Sequence, residues 1–278
     1  ILDLFFVAVL GMGVGSAALA TILSQTVSAV LAFRKLSMTK APYGVRWRQV
    51  RFHGPTLRAV VIQGVPSGVQ NSVISLANVI VQANINAFGA QAMAGCGAYS
   101  KVEGFAFLPV TCFAMALATF VSQNIGAGRL DRVRRGMRFG MLTSALLAEG
   151  VGVAMFLLAP WLIGAFNPEP EVIAFGVRQA RTVALFYCLL AFSHCSAGIL
   201  RGLGRPMVPM AVMLAVWCAL RITYITVTLR FIPQIGVIFW AYPITWTISS
   251  VLFAWYLTHC PLPSPGGGAP GHGEHARA

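Results

Sequence analysis

The chain has 278 residues, of which 57% are hydrophobic and only 10% charged, with a mean hydropathy of +0.76. A soluble domain of this size needs far more charged surface, so composition excludes one and points to a membrane protein. The net charge of +13 sits in short basic blocks between long apolar runs, the pattern of topology determinants facing an anionic leaflet rather than of a nucleic-acid-binding surface.

In chain order, "ILDLFF" has no initiator Met and none of the tripartite layout of a signal peptide, so it reads as a chain entered partway, with a partial helix over 1–10. A helix is predicted over 12–33. The segment 34–58, "RKLSMTKAPYGVRWRQVRFHGPTLR", follows as a basic linker carrying a short interfacial helix, with Trp47 and Phe52 at headgroup level. Six further apolar stretches predict helices over 59–87, 99–121, 137–158, 178–200, 207–229 and 236–258, each near the roughly 20 residues that cross the hydrocarbon. Such lengths suit helices and not barrel strands. The Pro/Gly-rich end, 260–278, has little to bury and reads as a disordered tail. The fold class is therefore all-α, a polytopic membrane protein.

If 34–58, 122–138 and 201–205 face the cytoplasm, they carry fourteen of the twenty Lys and Arg, against none in the loops at 88–98 and 159–177. The linker and the C-terminus then lie on the cytoplasmic side of the cell membrane. The six cysteines show neither CxxC nor Cys/His ligand spacing, so no metal site and no disulfide framework is expected. "GMGVG" misses the dinucleotide-binding spacing, "GLGRP" lacks the Lys of a phosphate loop, and seven acids in all leave few bases for hydrolysis. No enzyme is read here.

The sequence repeats itself. "VGSAALATILSQTVSAVLAF" from Val14 aligns with "IGVIFWAYPITWTISSVLFA" from Ile235 at an offset of 221, matching Gly15 with Gly236, Thr26 with Thr247 and Ser28 with Ser249. The expected organisation is the end of one lobe at 1–33, the linker at 34–58 and a complete six-helix lobe at 59–259. An even number of spans between the repeats gives both the same orientation, related by an axis along the membrane normal.

Several stretches carry a family resemblance: "GVPSGVQNSVISLANVIVQANINAFG", "YSKVEGFAFLP", "FVSQNIGAGRLDRVRRG" and "GILRGLGRP". Together with "ILDLFFVAVLGMGVGSAALATILSQTVS", they are similar to the multidrug and toxic compound extrusion family over nearly all of 1–259. The resemblance implies twelve helices in two six-helix lobes, a central V-shaped cavity, and export of organic, often cationic, compounds against inward flow of H⁺ or Na⁺. Against that pattern the first four helices and part of the fifth are absent. It also makes Gln123, Asn124, Gly126 and Arg129 a short cytoplasmic elbow, with Gly126 and Gly128 reversing the chain. The elbow reads either as a lipid-phosphate anchor or as a gating contact between lobes.

In the helix over 59–87, Ser67, Asn71, Ser75, Asn78 and Gln82 recur at helical spacing. Amides facing lipid are costly, so this stripe lines either a substrate cavity or an interhelical hydrogen-bonding seam. Pro66 is a candidate conformational hinge or a passive kink. Tyr187, Ala191, His194, Gly198 and Arg201 share a second face, from which Tyr187 and His194 are assigned to the same cavity. His194 is a proton carrier or a neutral core histidine. Glu149 and Arg221 fall inside spans, and Lys101 and Glu103 near the outer end of theirs; each is a functional candidate or a structurally paired group. The resemblance further implies carboxylate ion sites, but 59–100 and 182–200, where one branch of the family carries them, contain no acid.

The function expected is a secondary antiporter for small organic, cationic substrates, coupled to H⁺ or Na⁺ without any cofactor and in contact with membrane lipids. The alternatives are a lipid-linked oligosaccharide flippase of the same superfamily and a truncated chain that does not transport. The oligomeric state is not legible.

Overall fold

The computed structural model describes residues 2, 5–9, 11, 15–39, 44–45 and 50–259. Every regular element among them is helical. Trp47 and the tail at 260–278 lie outside the described residues, as does most of the expected interfacial helix; Phe52 is fully exposed in a non-helical stretch. Contacts divide the chain into two units, Ile1–Leu57 and Arg58–Ala278.

The first unit holds a π-helical turn, Phe5–Val9, and helix α1, Gly15–Met38. The second is built by α2 (Gly54–Asn86), α3 (Ala90–Gly126), α4 (Leu130–Gly164), α5 (Pro170–Val183), α6 (Tyr187–Gly202), α7 (Met207–Met213), α8 (Arg221–Phe231) and α9 (Gly236–His259). A 3₁₀ turn, Ala184–Phe186, joins α5 to α6, and a π-helical segment, Leu214–Leu220, joins α7 to α8. These joins leave six helical passes linked by short turns, the connectivity of antiparallel neighbours. Among the described residues, five helices are long and apolar enough to cross a membrane, all from α3 onward. Helix α2 has the length, but its amides dilute its apolarity.

Among the described residues, α1 and α9 each span 24 residues.

Several ends differ from the sequence expectation. Helix α3 starts at Ala90 rather than 99, and the pass expected over 178–200 starts at Pro170. Lys101 and Glu103 therefore sit well inside a helix instead of at its rim, and Arg178 and Arg181 belong to a helix as well. The cause is hydrogen bonding: a backbone keeps its helical partners past the hydrocarbon edge until a cap releases it, whereas apolarity marks only the hydrocarbon.

The cap is visible at the elbow. Helix α3 continues through Gln123, Asn124 and Gly126, so the turn is only 127–129. Gly128, at φ 68°, adopts the left-handed conformation; its N–H donates to Ile125 O at 2.9 Å and that of Arg129 to Asn124 O at 2.8 Å. This is a Schellman closure, and it needs glycine at 128. Gly126 is an ordinary helical residue with open space around it, so the expected two-glycine reversal is carried by one. The same closure recurs after α6, where Gly204 has φ 75° and Arg205 N–H donates to Leu200 O at 2.9 Å.

The pass from Pro170 to Gly202 is the innermost: 67% of its most apolar stretch is buried, against 28% in α3 and in α4. Small residues allow this depth. A Cβ on Gly152 of α4 would stand 2.2 Å from the Ala184 carbonyl oxygen, so α4 and the 3₁₀ turn meet backbone to side-chain-free backbone. One turn away, Glu149 Oε2 accepts from the Cys188 N–H at 3.0 Å. The break at 184–186 frees amide groups at the start of α6, and a buried free N–H is costly in hydrocarbon. Glu149, open between function and structure in the sequence, thus has a structural bond.

Candidate functional site

Helix α2 presents three faces, each about a third of its circumference. Pro66, Gln70, Ala77, Val81 and Ile85 are buried. Ile62, Val65, Val69, Leu76 and Val79 form an exposed apolar face, with Val79 at 64% and Leu76 at 61%. Between the two lies the polar stripe: Asn71, Ser75 and Asn78 are exposed, Ser67 and Gln82 half-buried. The helix runs unbroken through Pro66, whose ring faces the packed side.

Much of the stripe is bonded within its own helix. Ser67 Oγ donates to Gln63 O at 3.4 Å, Ser75 Oγ to Asn71 O at 2.9 Å, and Gln82 Nε2 to Asn86 Oδ1 at 2.9 Å. The side-chain amides of Asn71 and Asn78 bond to no described residue. Each offers one carbonyl acceptor and two N–H donors to whatever faces α2.

Tyr187 and His194, which the sequence grouped with this stripe, are placed inside the helix packing. Tyr187 is 2% exposed, with its hydroxyl 3.1 Å from Tyr99 Oη and 3.3 Å from Met155 Sδ. It is held there because Ala184 and Ala191, both fully buried, let α6 approach its neighbours. His194 is half-buried, its ring edge-on to Phe107 at 4.9 Å and to Trp217 at 5.3 Å, with Nε2 enclosed and lacking a hydrogen-bond partner among the described residues. Nearby, Ser193 Oγ lies 2.9 Å from Ser249 Oγ and 3.0 Å from Ser250 Oγ, and Trp217 Nε1 donates to Ser249 Oγ at 3.0 Å. These neutral bonds tie α6, α9 and the π segment together.

One polar constellation was missed. Tyr99 Oη donates to Glu103 Oε1 at 2.8 Å, one turn along α3. Arg221, 2% exposed, donates from Nη2 to Thr245 Oγ1 at 2.9 Å and lies over the rings of Tyr242 at 4.5 Å and Trp217 at 5.4 Å. The Tyr-x-x-x-Glu spacing was a readable signal; the approach of Tyr187, 88 residues away, left none. Gln70 was also missed: it is buried beside Asn71, with Nε2 2.8 Å from Met213 Sδ.

The family model for MatE matches residues 66–227, more than half of the chain and all but the first and last parts of the six-pass unit. The chain belongs to the MatE family. A protein of Thermotoga maritima described as a probable multidrug resistance protein NorM is 31% identical over 211 residues, covering 75% of this chain and 45% of that protein. A Bacillus subtilis protein described as the probable multidrug resistance protein YpnP is 25% identical over 238 residues, 84% of this chain and 52% of the other. In structure, a Pyrococcus furiosus transporter of the MOP superfamily matches with a TM-score of 0.85 at 17% identity, over 92% of this chain and 58% of its own. That likeness concerns the fold. This MatE chain spans about half the length of the relatives it matches.

The family match begins at Pro66, inside α2. Within the MatE lobe the predicted residues fall into two groups: an outward amide stripe on α2, and on α6 Tyr187, bonded to α3 and α4, with His194 packed between the rings of Phe107 and Trp217.

Proposed function

We propose that the whole protein is a secondary antiporter that exports organic cations in exchange for H⁺ or Na⁺, and that the amide face of α2 is one wall of its substrate path. The observation that carries this is the separation of the exposed surface of α2 into an apolar face and an amide face. The apolar face suits lipid. An amide turned to hydrocarbon without a partner costs on the order of 0.5–2 kcal/mol even on lenient scales, so Asn71 and Asn78 belong against water, substrate or a second protein wall. Their carbonyl oxygens suit an organic cation, and the stripe has no fixed positive charge with which to hold the pyrophosphate of a lipid-linked sugar. On this reading the basic elbow at 127–129 and the linker face the cytoplasm of a cell membrane, beside anionic headgroups.

The test compares Asn78→Leu with Val79→Leu, neighbours on the two exposed faces, in the protein expressed from its complete reading frame in cells deficient in efflux. At equal membrane abundance, Asn78→Leu is expected to lower export of a lipophilic cation about tenfold, equivalent to about 1.4 kcal/mol, and Val79→Leu to leave it unchanged. Equal export by both variants removes the wall from α2.

A further inference from the structure

We propose that Glu103 is a reversible proton-binding site inside this lobe, and that Tyr99, Tyr187 and Met155 form a hydrogen-bond chain able to serve both its charged and its neutral state. The inference rests on the reading of the protein as an ion-coupled exporter, and it supplies a coupling residue where the segments expected to carry one, 59–100 and 182–200, contain no acid.

The chain runs from Glu103 Oε1 to Tyr99 Oη at 2.8 Å, on to Tyr187 Oη at 3.1 Å and to Met155 Sδ at 3.3 Å. Each phenol has a single hydrogen. When Glu103 is ionised, Tyr99 donates to the carboxylate and Tyr187 donates to Tyr99. When Glu103 takes a proton from water, its new O–H donates to Tyr99, Tyr99 turns to donate to Tyr187, and Tyr187 donates to the Met155 sulfur. Three hydrogens then have three acceptors, and loss of the proton to water reverses every step. The thioether is what makes the loaded state complete, because it accepts a hydrogen bond and has none to give. With leucine at 155, the last phenol hydrogen would be buried without an acceptor, a costly condition away from water.

The surroundings are arranged around this function. Tyr99 and Tyr187 are almost fully buried, while Glu103 is half-buried and its second oxygen bonds to no described residue. One side of the carboxyl is therefore fixed and the other is left for exchange. The groups facing it are Tyr99 on its own helix, Tyr187 on α6, Arg221 on α8 and Tyr242 on α9, with Met155 from α4. Arg221 acts on Glu103 through its field, yet its guanidinium is held by Thr245 and two aromatic rings. A contact ion pair would tie the carboxylate down; this arrangement supplies the opposite charge and leaves the carboxyl free. Arg221 also follows the π-helical segment Leu214–Leu220, a distortion common at functional positions in helices.

Infrared difference spectroscopy of the whole protein in lipid nanodiscs, titrated with acid in the absence of substrate, tests the proposal. The wild type is expected to gain a protonated-carboxyl band that Glu103→Gln lacks. Tyr99→Phe is expected to keep that band at higher frequency, because the carboxyl loses its hydrogen-bond partner. Met155→Leu is expected to perturb the band as well, though it lies two phenols away. Should Glu103→Gln fail to fold, the Tyr99→Phe and Met155→Leu spectra still decide the matter. Acid-induced bands identical in all four proteins overturn the proposal, as does a carboxyl band that responds to Na⁺ at constant pH and not to acid. The antiporter reading is separable from this one. Gradient-driven export that survives Glu103→Gln removes the site and leaves the exporter, whereas a titrating Glu103 band in a protein that exports nothing does the reverse.

Discussion

Helix α2 and the pass from Pro170 to Gly202 are each 33 residues long, and both carry polar side chains at helical spacing. In the inner pass Gln179, Ser193 and Ser196 are buried, and Tyr187 with them. In α2 the polar stripe lies open, and only Gln70 is enclosed. The difference comes from the residues between. Ala180, Ala184, Ala191, Ala197 and Gly198 leave room for neighbouring helices to close over the inner pass. Helix α2 has small residues too, but Gly64 and Gly68 meet nothing within 4 Å. Polarity in a membrane helix thus says that a partner is needed, and the small residues around it tell whether that partner is the protein's own interior.

The sharpest way to break this contrast is to add one methyl to each helix system. Gly152→Ala places a carbon 2.2 Å from the Ala184 carbonyl oxygen, a clash with backbone that no rotamer relieves. It is expected to lower stability by about 3 kcal/mol or more, read as a large drop in thermal unfolding temperature in detergent. Gly68→Ala meets open space and is expected to raise stability by about 0.5–1 kcal/mol, the helical advantage of alanine. If both substitutions behave alike, the inner pass is not the close-packed element described.

A second comparison separates polar groups that build from polar groups that bind. Ser193→Val strips a hydroxyl shared with Ser249 and Ser250 and is expected to cost about 1 kcal/mol, the loss of a buried hydrogen bond, while Ser249 and Ser250 keep donating to Trp246 O and Leu189 O. Asn71→Leu, on the open stripe, is expected to leave the unfolding temperature unchanged while lowering export. Thermal unfolding and export measured side by side decide it, and a stability loss in Asn71→Leu makes the stripe a packing surface.

The smallest effect is expected at the elbow, where Gly128→Ala must hold φ 68°. The left-handed conformation costs a non-glycine residue about 1 kcal/mol. Gly126→Ala, one helical residue before the turn, is expected to be neutral or mildly stabilising in the same unfolding assay.

The passes were legible because apolar runs and basic interruptions mark hydrocarbon and interface. Their ends were less so: Ala90 and Pro170 open helices whose first turns have no need of apolarity, while Gly128 and Gly204 declare a stop by their chemistry. The amide stripe could be read from its spacing, since one face needs only one helix. The Tyr99–Tyr187 bond and the ring cage of Arg221 are products of helices meeting, and periodicity within a helix carries no information about which turn of another helix stands opposite. Spacing alone therefore grouped Tyr187 and His194 with the stripe, while the helices set both among the side chains of α6's neighbours.

The three-faced character of α2 bears also on how the lobe is made. During synthesis the insertion machinery weighs each segment alone, and polar residues near the middle of a segment lower its chance of being released into lipid. Helix α2 has Asn71, Ser75 and Asn78 near its centre, whereas α3, which follows after a turn at 87–89, is one of the most apolar elements of the chain. Retention of α2 is therefore expected to depend on helices not yet synthesised when α2 reaches the membrane. Val81 and Ile85 share one buried apolar cluster with Ala92 and Cys96 of α3 and with Ile225, Ile238 and Phe239, so a nascent chain stopped before α3 is expected to hold α2 in the bilayer less well than a longer one.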